Sequence, residues 1–319
     1  MLPLLLLLAN PALAYESDQF TGRSTPPADA LALANEEMNR LLAEAVATTN
    51  QVTSCEGTDE DMHVTLARLV FETVSSLTTV PARGRLPPMI YGVYAAWLET
   101  GPIDRHVFDE RVDIYRKVTF WENAILARFG PASTVRFGDV LLGTDKIDHF
   151  WEQGYQCFKV SRWGQEPEKA IRWSTRMERT IWGLGSTQVF SFADLAANYD
   201  GFTFFNDLLE PQSEIQRRPD GCVELVRPFD WSEWVDWEYD EFLNPNAYEP
   251  EITQAVQENL RSHREEYCAD YTAWIQQREL PRPLRMDLSQ QRAYVVGDAP
   301  PQVDPFNLES LCADYQSAE

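Results

Sequence analysis

The chain is short of positive charge and of histidine. Its 319 residues hold 27 Lys and Arg against 50 Asp and Glu, with 4 His and a formal charge of −23. A field of that sign repels nucleic acid and anionic lipid, and it suits a cationic polymer or a metal ion. Solubility is the plainer account of the same excess. Beyond the N-terminal segment no apolar run approaches the ~18 residues that would span a bilayer as a helix. There is no Gly-x-Ser-x-Gly, P-loop, His-Glu-x-x-His or dinucleotide fingerprint, which sets aside serine hydrolases, NTPases, zincins and Rossmann enzymes. The five cysteines, Cys55, Cys157, Cys222, Cys268 and Cys312, show no metal-ligand spacing. No internal repeat or low-complexity segment is evident.

What is present begins with an export signal. Leu2 and the run from Leu4 to Leu8 form a short apolar core, and Ala12-Leu13-Ala14 a small-x-small cleavage site. This predicts a signal peptide over 1–14, Tyr15 as the first mature residue, and a periplasmic or extracellular destination. No cysteine follows the cleavage site, which argues against a lipid anchor. An oxidising compartment permits one or two disulfides. A bridge within the set Cys222, Cys268 and Cys312 is expected, with Cys157, mid-helix among aromatics, as a buried free thiol. The pairing itself is left open by the spacing.

The rest of the chain predicts a mainly α fold, a multi-helix globular bundle with few short strands. Residues 15–210 form a helical core domain, and 211–319 an acidic, aromatic-rich subdomain packed on it. Apolar residues recur at helical spacing over about 30–46 and 61–77. Pro81, Pro87 and Pro88 break the chain between 81 and 88. Helical pattern returns at 107–129, and 135–143 alternates as a short hairpin. Three helices follow at about 145–162, 167–182 and 193–209, and one long amphipathic helix at about 251–275. The proline-bearing end reads as an irregular strap.

Those three consecutive helices each aim an acid or an imidazole at their own apolar face. Asp145 and His149 stand at i and i+4, a spacing for two ligands to one metal or for a carboxylate that orients an imidazole. Thr144 is placed to cap that helix. Glu178 shares a stripe with Ile171, Ser174 and Ile181, where apolar surroundings would raise its pKa as a general acid requires. A salt bridge to a base such as Lys146 is the plainer role. Ser191 and Asp194 fit a capping box, while Asn198 and Gly201 continue the face of Asp194, Gly201 being small enough for a close helix crossing. Isolated buried charges are costly, so these groups are expected to converge. His63, His106 and His263 read as structural. Residues 240–248 with Trp231, Trp234 and Trp237 could line a carbohydrate cleft, although a helix end before Pro245 is the favoured account of them.

The order Asp145-Lys146-x-x-His149-Phe150, then Glu178, then Ser191-x-x-Asp194-x-x-x-Asn198-x-x-Gly201 resembles the signature of the VanZ-like envelope proteins. It covers about 60 residues. The resemblance implies membrane helices and an association with glycopeptide resistance, without a defined reaction. This chain departs from it, since its helices carry Glu152, Lys159, Arg162, Arg172, Arg176 and Arg179 and suit water.

Three functions fit these residues. One is an exported hydrolase of an envelope or extracellular polysaccharide, amine-bearing by preference, needing no cofactor. In it Glu178 is the general acid, Asp194 or Asp145 the second carboxylate beside His149, and Ser191, Asn198, Trp182 and Glu241 hold substrate. Another is a metal-dependent enzyme with Asp145, His149, Glu178 and Asp194 around zinc, manganese or iron. The third is a non-enzymatic envelope protein whose polar network fixes helix register.

Overall fold

The computed structural model describes residues 16–81, 88–107, 113–119, 121–123, 131–244, 246–276 and 312, without the side chains of 270 and 273–276. The proposed signal peptide and most of the C-terminal strap lie outside these residues. The described chain is mainly helical, with four two-stranded antiparallel pairs.

Helices α1 (Leu31–Thr53) and α2 (Asp59–Ser75) bury the predicted faces, Ala34, Met38, Leu41 and Ala45 in one and Met62, Leu66, Leu69 and Val70 in the other. Thr58 and Asp61 close α2 with a reciprocal capping box. The hairpin β1 (Leu77–Val80) and β2 (Met89–Gly92) leads into α3 (Val93–Thr100). The expected hairpin is formed by β3 (Thr134–Phe137) and β4 (Val140–Gly143).

The helix expected at 107–129 is not seen in its described parts. Residues 113–119 are turns, and Lys117 takes a left-handed φ of 81°. There the Asp113 carboxylate accepts from the Tyr115 N–H and Asp18 from the Ile114 N–H. Such side-chain acceptors compete with helical bonds.

The first site helix is α4 (Thr144–Asp148), a π turn (His149–Gln153) and α5 (Gly154–Val160) in one run. Thr144 does not cap it: Gly143 is the N-cap, and the Thr144 hydroxyl donates to Glu99. The others are α6 (Pro167–Thr180) and α7 (Phe192–Asn206). Because α6 ends at Thr180, Ile181 leaves the inward stripe and is 48% exposed. Gly154 and Gly201 let α5 and α7 cross backbone to backbone. A Cβ on Gly154 would lie 2.5 Å from the Gly201 carbonyl carbon, and one on Gly201 would overlap the Phe150 carbonyl.

After α7 come β6 (Ile215–Arg217) and β7 (Val223–Leu225), short 3₁₀ turns at Trp231–Glu233 and Trp237–Tyr239, and β8 (Ala247–Tyr248), which pairs with β5 (Val189–Phe190). The last predicted helix is two, α8 (Pro250–Ser262) and α9 (Arg264–Gln276), broken at His263. At the break the His263 N–H turns to the Leu260 carbonyl, three residues back, and the Ser262 hydroxyl donates to the Asn259 carbonyl.

Trp231 and Trp234, proposed for a cleft, are buried. They are core residues: Phe150 packs on Trp231 at 5.1 Å between ring centroids, Trp151 on Phe204 at 4.9 Å and Phe229 on Trp231 at 5.0 Å. This aromatic cluster continues into α1 and α2 as the main core. A second apolar cluster gathers Phe20, Tyr115, Phe242, Tyr248, Ile252 and Tyr267, and a smaller third holds Phe190, Phe192, Leu195 and Ala247. Disulfides Cys55–Cys222 and Cys268–Cys312 tie distant segments. The expected bridge is therefore Cys268–Cys312, while Cys222 pairs outside the predicted set. Cys157 is the buried free thiol.

Candidate functional site

A buried ammonium organises the polar residues. The Lys146 Nζ lies 2.7 Å from Asp145 Oδ2, 2.5 Å from Asp194 Oδ1 and 2.5 Å from Glu241 Oε1. Lys146 and Glu241 are fully buried, and Asp145 and Asp194 are nearly so. Lys146 is the third residue of α4, the helix after β4, and reaches Asp194 on α7. Burial alone would lower its pKa, but the carboxylates of Asp145, Asp194 and Glu241 hold it well above the ordinary lysine value.

The imidazole of His149 continues the network. Its Nε2 is 3.1 Å from Asp194 Oδ2, and its Nδ1 is 2.9 Å from Asn198 Oδ1. The Asn198 amide nitrogen donates to Ser174 Oγ at 2.9 Å, so its oxygen faces the ring as an acceptor. A ring that faces an acceptor at both nitrogens is an imidazolium. Burial opposes that charge, yet the Asp194 carboxylate outweighs it and holds the pKa up at about 9. Asp194 itself would be raised by burial, but the His149 and Lys146 cations keep it well below the usual carboxylate range.

Glu178, on α6, receives the Ser191 N–H at 3.0 Å. Burial, reinforced by the charge of Asp194, pushes its carboxyl up to about 8. Gly183 turns so tightly beneath it that a Cβ there would overlap Glu178 Oε1. Ser191 is the N-cap of α7: its hydroxyl accepts from the Asp194 N–H at 3.1 Å and donates to Glu241 at 3.2 Å. The capping box is thus only half formed, because the Asp194 carboxylate is held by Lys146 and His149 instead. Glu241 is raised by burial, against the pull of Lys146, to about 7.

The structure brings together Asp145, His149, Glu178, Asp194, Ser191, Asn198 and Glu241. Lys146 does not pair directly with Glu178; it joins Asp145, Asp194 and Glu241. Trp182 stands apart from the ion pairs, edge-on to Trp173 at 5.3 Å between centroids. His63, His106 and His263 are likewise outside the cluster. His63 bonds the Phe205 carbonyl, His106 joins an isolated bridge to Thr134, and the His263 ring meets Asn259 and Ser262 at the helix break.

One member escapes sequence reasoning altogether. Glu16 is 1% exposed, in a run of buried polar residues with Ser17, Asp18 and Gln19. Its Oε1 accepts from the Thr187 hydroxyl, and its Oε2 has no hydrogen-bond partner among the described residues. Burial, with the charges of Asp194 and Glu241, raises it well above the glutamate value. Nothing in the local pattern around Glu16 is periodic. The uninterrupted polar string Glu16-Ser17-Asp18-Gln19 gave no reason to expect burial.

Asp145, Asp194 and Glu241 each offer an oxygen within 4.8 Å of the others, a spacing that a cation could use. The residues present do not fit a divalent ion well, since the Lys146 ammonium already contacts all three carboxylates. The sequence-predicted set fits less well still: His149 is an imidazolium, and Glu178 is raised toward its neutral form. Ser174, at the end of the His149–Asn198–Ser174 chain, also lines a narrow apolar cleft with Cys157, Ala170, Leu195 and Tyr199. Comparison with family models, with curated proteins and with solved structures finds no match to the chain.

Proposed function

We propose that this is an exported, non-enzymatic envelope protein in which the Lys146–His149–carboxylate cluster clamps three apolar clusters into one register. One observation carries the reading: residues of the polar network directly adjoin, along the chain, members of all three clusters. Lys146 precedes Ile147 of the main core, Glu241 precedes Phe242 of the second, and Ser191 lies between Phe190 and Phe192 of the third. Apolar faces alone can slide, whereas a buried ammonium between three carboxylates tolerates one arrangement. Export is supported by two disulfides and by the N-terminal apolar segment, and no helix among the described residues is long and apolar enough to cross a membrane. The VanZ-like order of residues supports an envelope setting.

A second reading has its own observation. Glu178 is pushed up to about 8 while Asp194 stays ionised, and two carboxyls driven apart in this way are the pattern of an acid and its partner in glycan hydrolysis. The burial of every member weighs against access by a polymer. Isolated cell-wall polymer incubated with the protein and with Glu178→Gln separates the two. The structural reading expects no turnover by either. Turnover lost in Glu178→Gln at an unchanged thermal midpoint would establish the hydrolase.

A further inference from the structure

Outside the residues of the cluster, the start of α2, the loop at 163–165 and the segment 208–217 border a polar cavity of about 480 Å³ that is open to solvent. That volume lies within the ~300–1,000 Å³ of small-molecule sites. We propose that this cavity binds a saccharide bearing free amines. The proposal rests on no property of the buried cluster.

The walls are braced. Cys55–Cys222 ties the end of α1 to β7, and Arg217 binds the Gly57 carbonyl at 2.8 Å, the Gly221 carbonyl at 3.2 Å and the Asp59 carboxylate. Every guanidinium nitrogen of Arg217 is thereby engaged. It is the one permanent cation among the described lining residues, and its charge is paired with that of Asp59. Asp59, Glu60 and Glu210 line it as exposed acids. An excess of carboxylate with its only arginine already spent favours a cationic ligand.

The remaining lining suits a sugar ring. Trp163 is 38% exposed, and it holds a left-handed φ of 60° that a bulky side chain rarely adopts. Buried Phe158 supports it edge-on at 5.5 Å and carries the His63 ring at 5.2 Å. His63 Nε2 donates to the Phe205 carbonyl at 2.7 Å, which leaves Nδ1 outside that bond. Gln216 donates its amide to the Pro211 carbonyl at 2.6 Å, which leaves its oxygen to accept. Gln165 adds a second carboxamide. An aromatic face, acceptors for hydroxyls and carboxylates for an ammonium together describe an amino sugar. A bare polyamine would use only the acids.

Isothermal titration of the exported protein with a glucosamine tetrasaccharide, its N-acetylated counterpart and spermidine tests this. Saturable binding of the glucosamine oligomer is expected, with at least tenfold weaker binding of the N-acetylated form and of spermidine. Trp163→Ala should weaken the oligomer at least tenfold, and Glu210→Gln several-fold, with circular dichroism confirming the fold. Glu210 is exposed, so that variant reports even if Trp163→Ala unfolds. Absence of saturable binding, equal binding of the N-acetylated oligomer or of spermidine, or indifference to both substitutions would overturn the proposal.

Discussion

Lys146 Nζ and Glu241 Oε1 lie 2.5 Å apart with neither side chain exposed to solvent, joining the first helical turn after β4 to the turn after the second 3₁₀ segment. This pair ties the segment that follows α7 onto the α4–α7 framework. Asp145 and Asp194 complete the ammonium's shell, and the same Asp194 anchors the imidazolium of His149.

Removing the ammonium should be severe. Lys146→Met leaves Asp145 and Glu241 without their ammonium and Asp194 with His149 as its one remaining close cation among the described residues, and breaking such a buried pair costs about 3–5 kcal/mol. The expected result is insoluble protein or a thermal midpoint lower by ten degrees or more. Calorimetry of the purified variant checks this. A midpoint within two degrees of the parent would mean that the cluster bears little on stability.

Glu178→Gln should behave oppositely at neutral pH. With its carboxyl raised to about 8, Glu178 is largely neutral there, and glutamine copies that neutral form. The midpoint at pH 7 should change by less than about 1 kcal/mol equivalent or rise. A large loss would show that the ionised form is the one the fold requires.

Stability should fall on the alkaline side. The His149 imidazole is protonated in folded and unfolded chains alike below its ordinary value of 6.5, so its stabilisation is complete there. It is lost as pH rises through about 9, roughly 3 kcal/mol for this group alone. Glu178, raised from 4.5 to about 8, acts in the same direction. Asp194 acts in the other: its contribution is present above 3.8 and is lost on acidification. Thermal scans should show a midpoint lower at pH 9.5 than at pH 6 by about 5–10 °C. Glu178→Gln should flatten that slope below about pH 8.

The disulfides are checked by peptide mapping without reduction. Cys55–Cys222 and Cys268–Cys312 should appear as linked peptides, closing separations of 167 and 44 residues. In the chain-entropy account such loops stabilise by about 5 and 4 kcal/mol. Cys157, whose thiol burial pushes up to about 12, should resist alkylation until the protein unfolds. Rapid labelling of Cys157 in folded protein would contradict its placement.

Gly201→Ala should disrupt the crossing of α5 and α7, because the added methyl would overlap the backbone carbonyl of Phe150. A backbone atom cannot rotate away, so a loss of about 3 kcal/mol or more is expected. Denaturant titration reads it, and a loss below about 1 kcal/mol would show that the helices can separate freely.

Much of this molecule is written in local pattern. The faces of α1 and α2, the β3–β4 hairpin and the order of the three site helices follow from spacing and capping, which act within a few residues. Asp145, His149, Glu178 and Asp194 were legible as inward-facing groups for the same reason, and Gly201 as a place of close approach. Tertiary structure alone decided the rest. A helical pattern at 113–119 yields to side-chain bonds from Asp113 and Asp18, and the stripe through Ile181 ends with the helix at Thr180. Lys146 as the centre, Glu241 as a core acid and Glu16 as a buried neighbour have no local signature. Each owes its place to Coulomb attraction between groups distant in sequence, a force that acts only once packing has excluded water and brought them within a few ångströms.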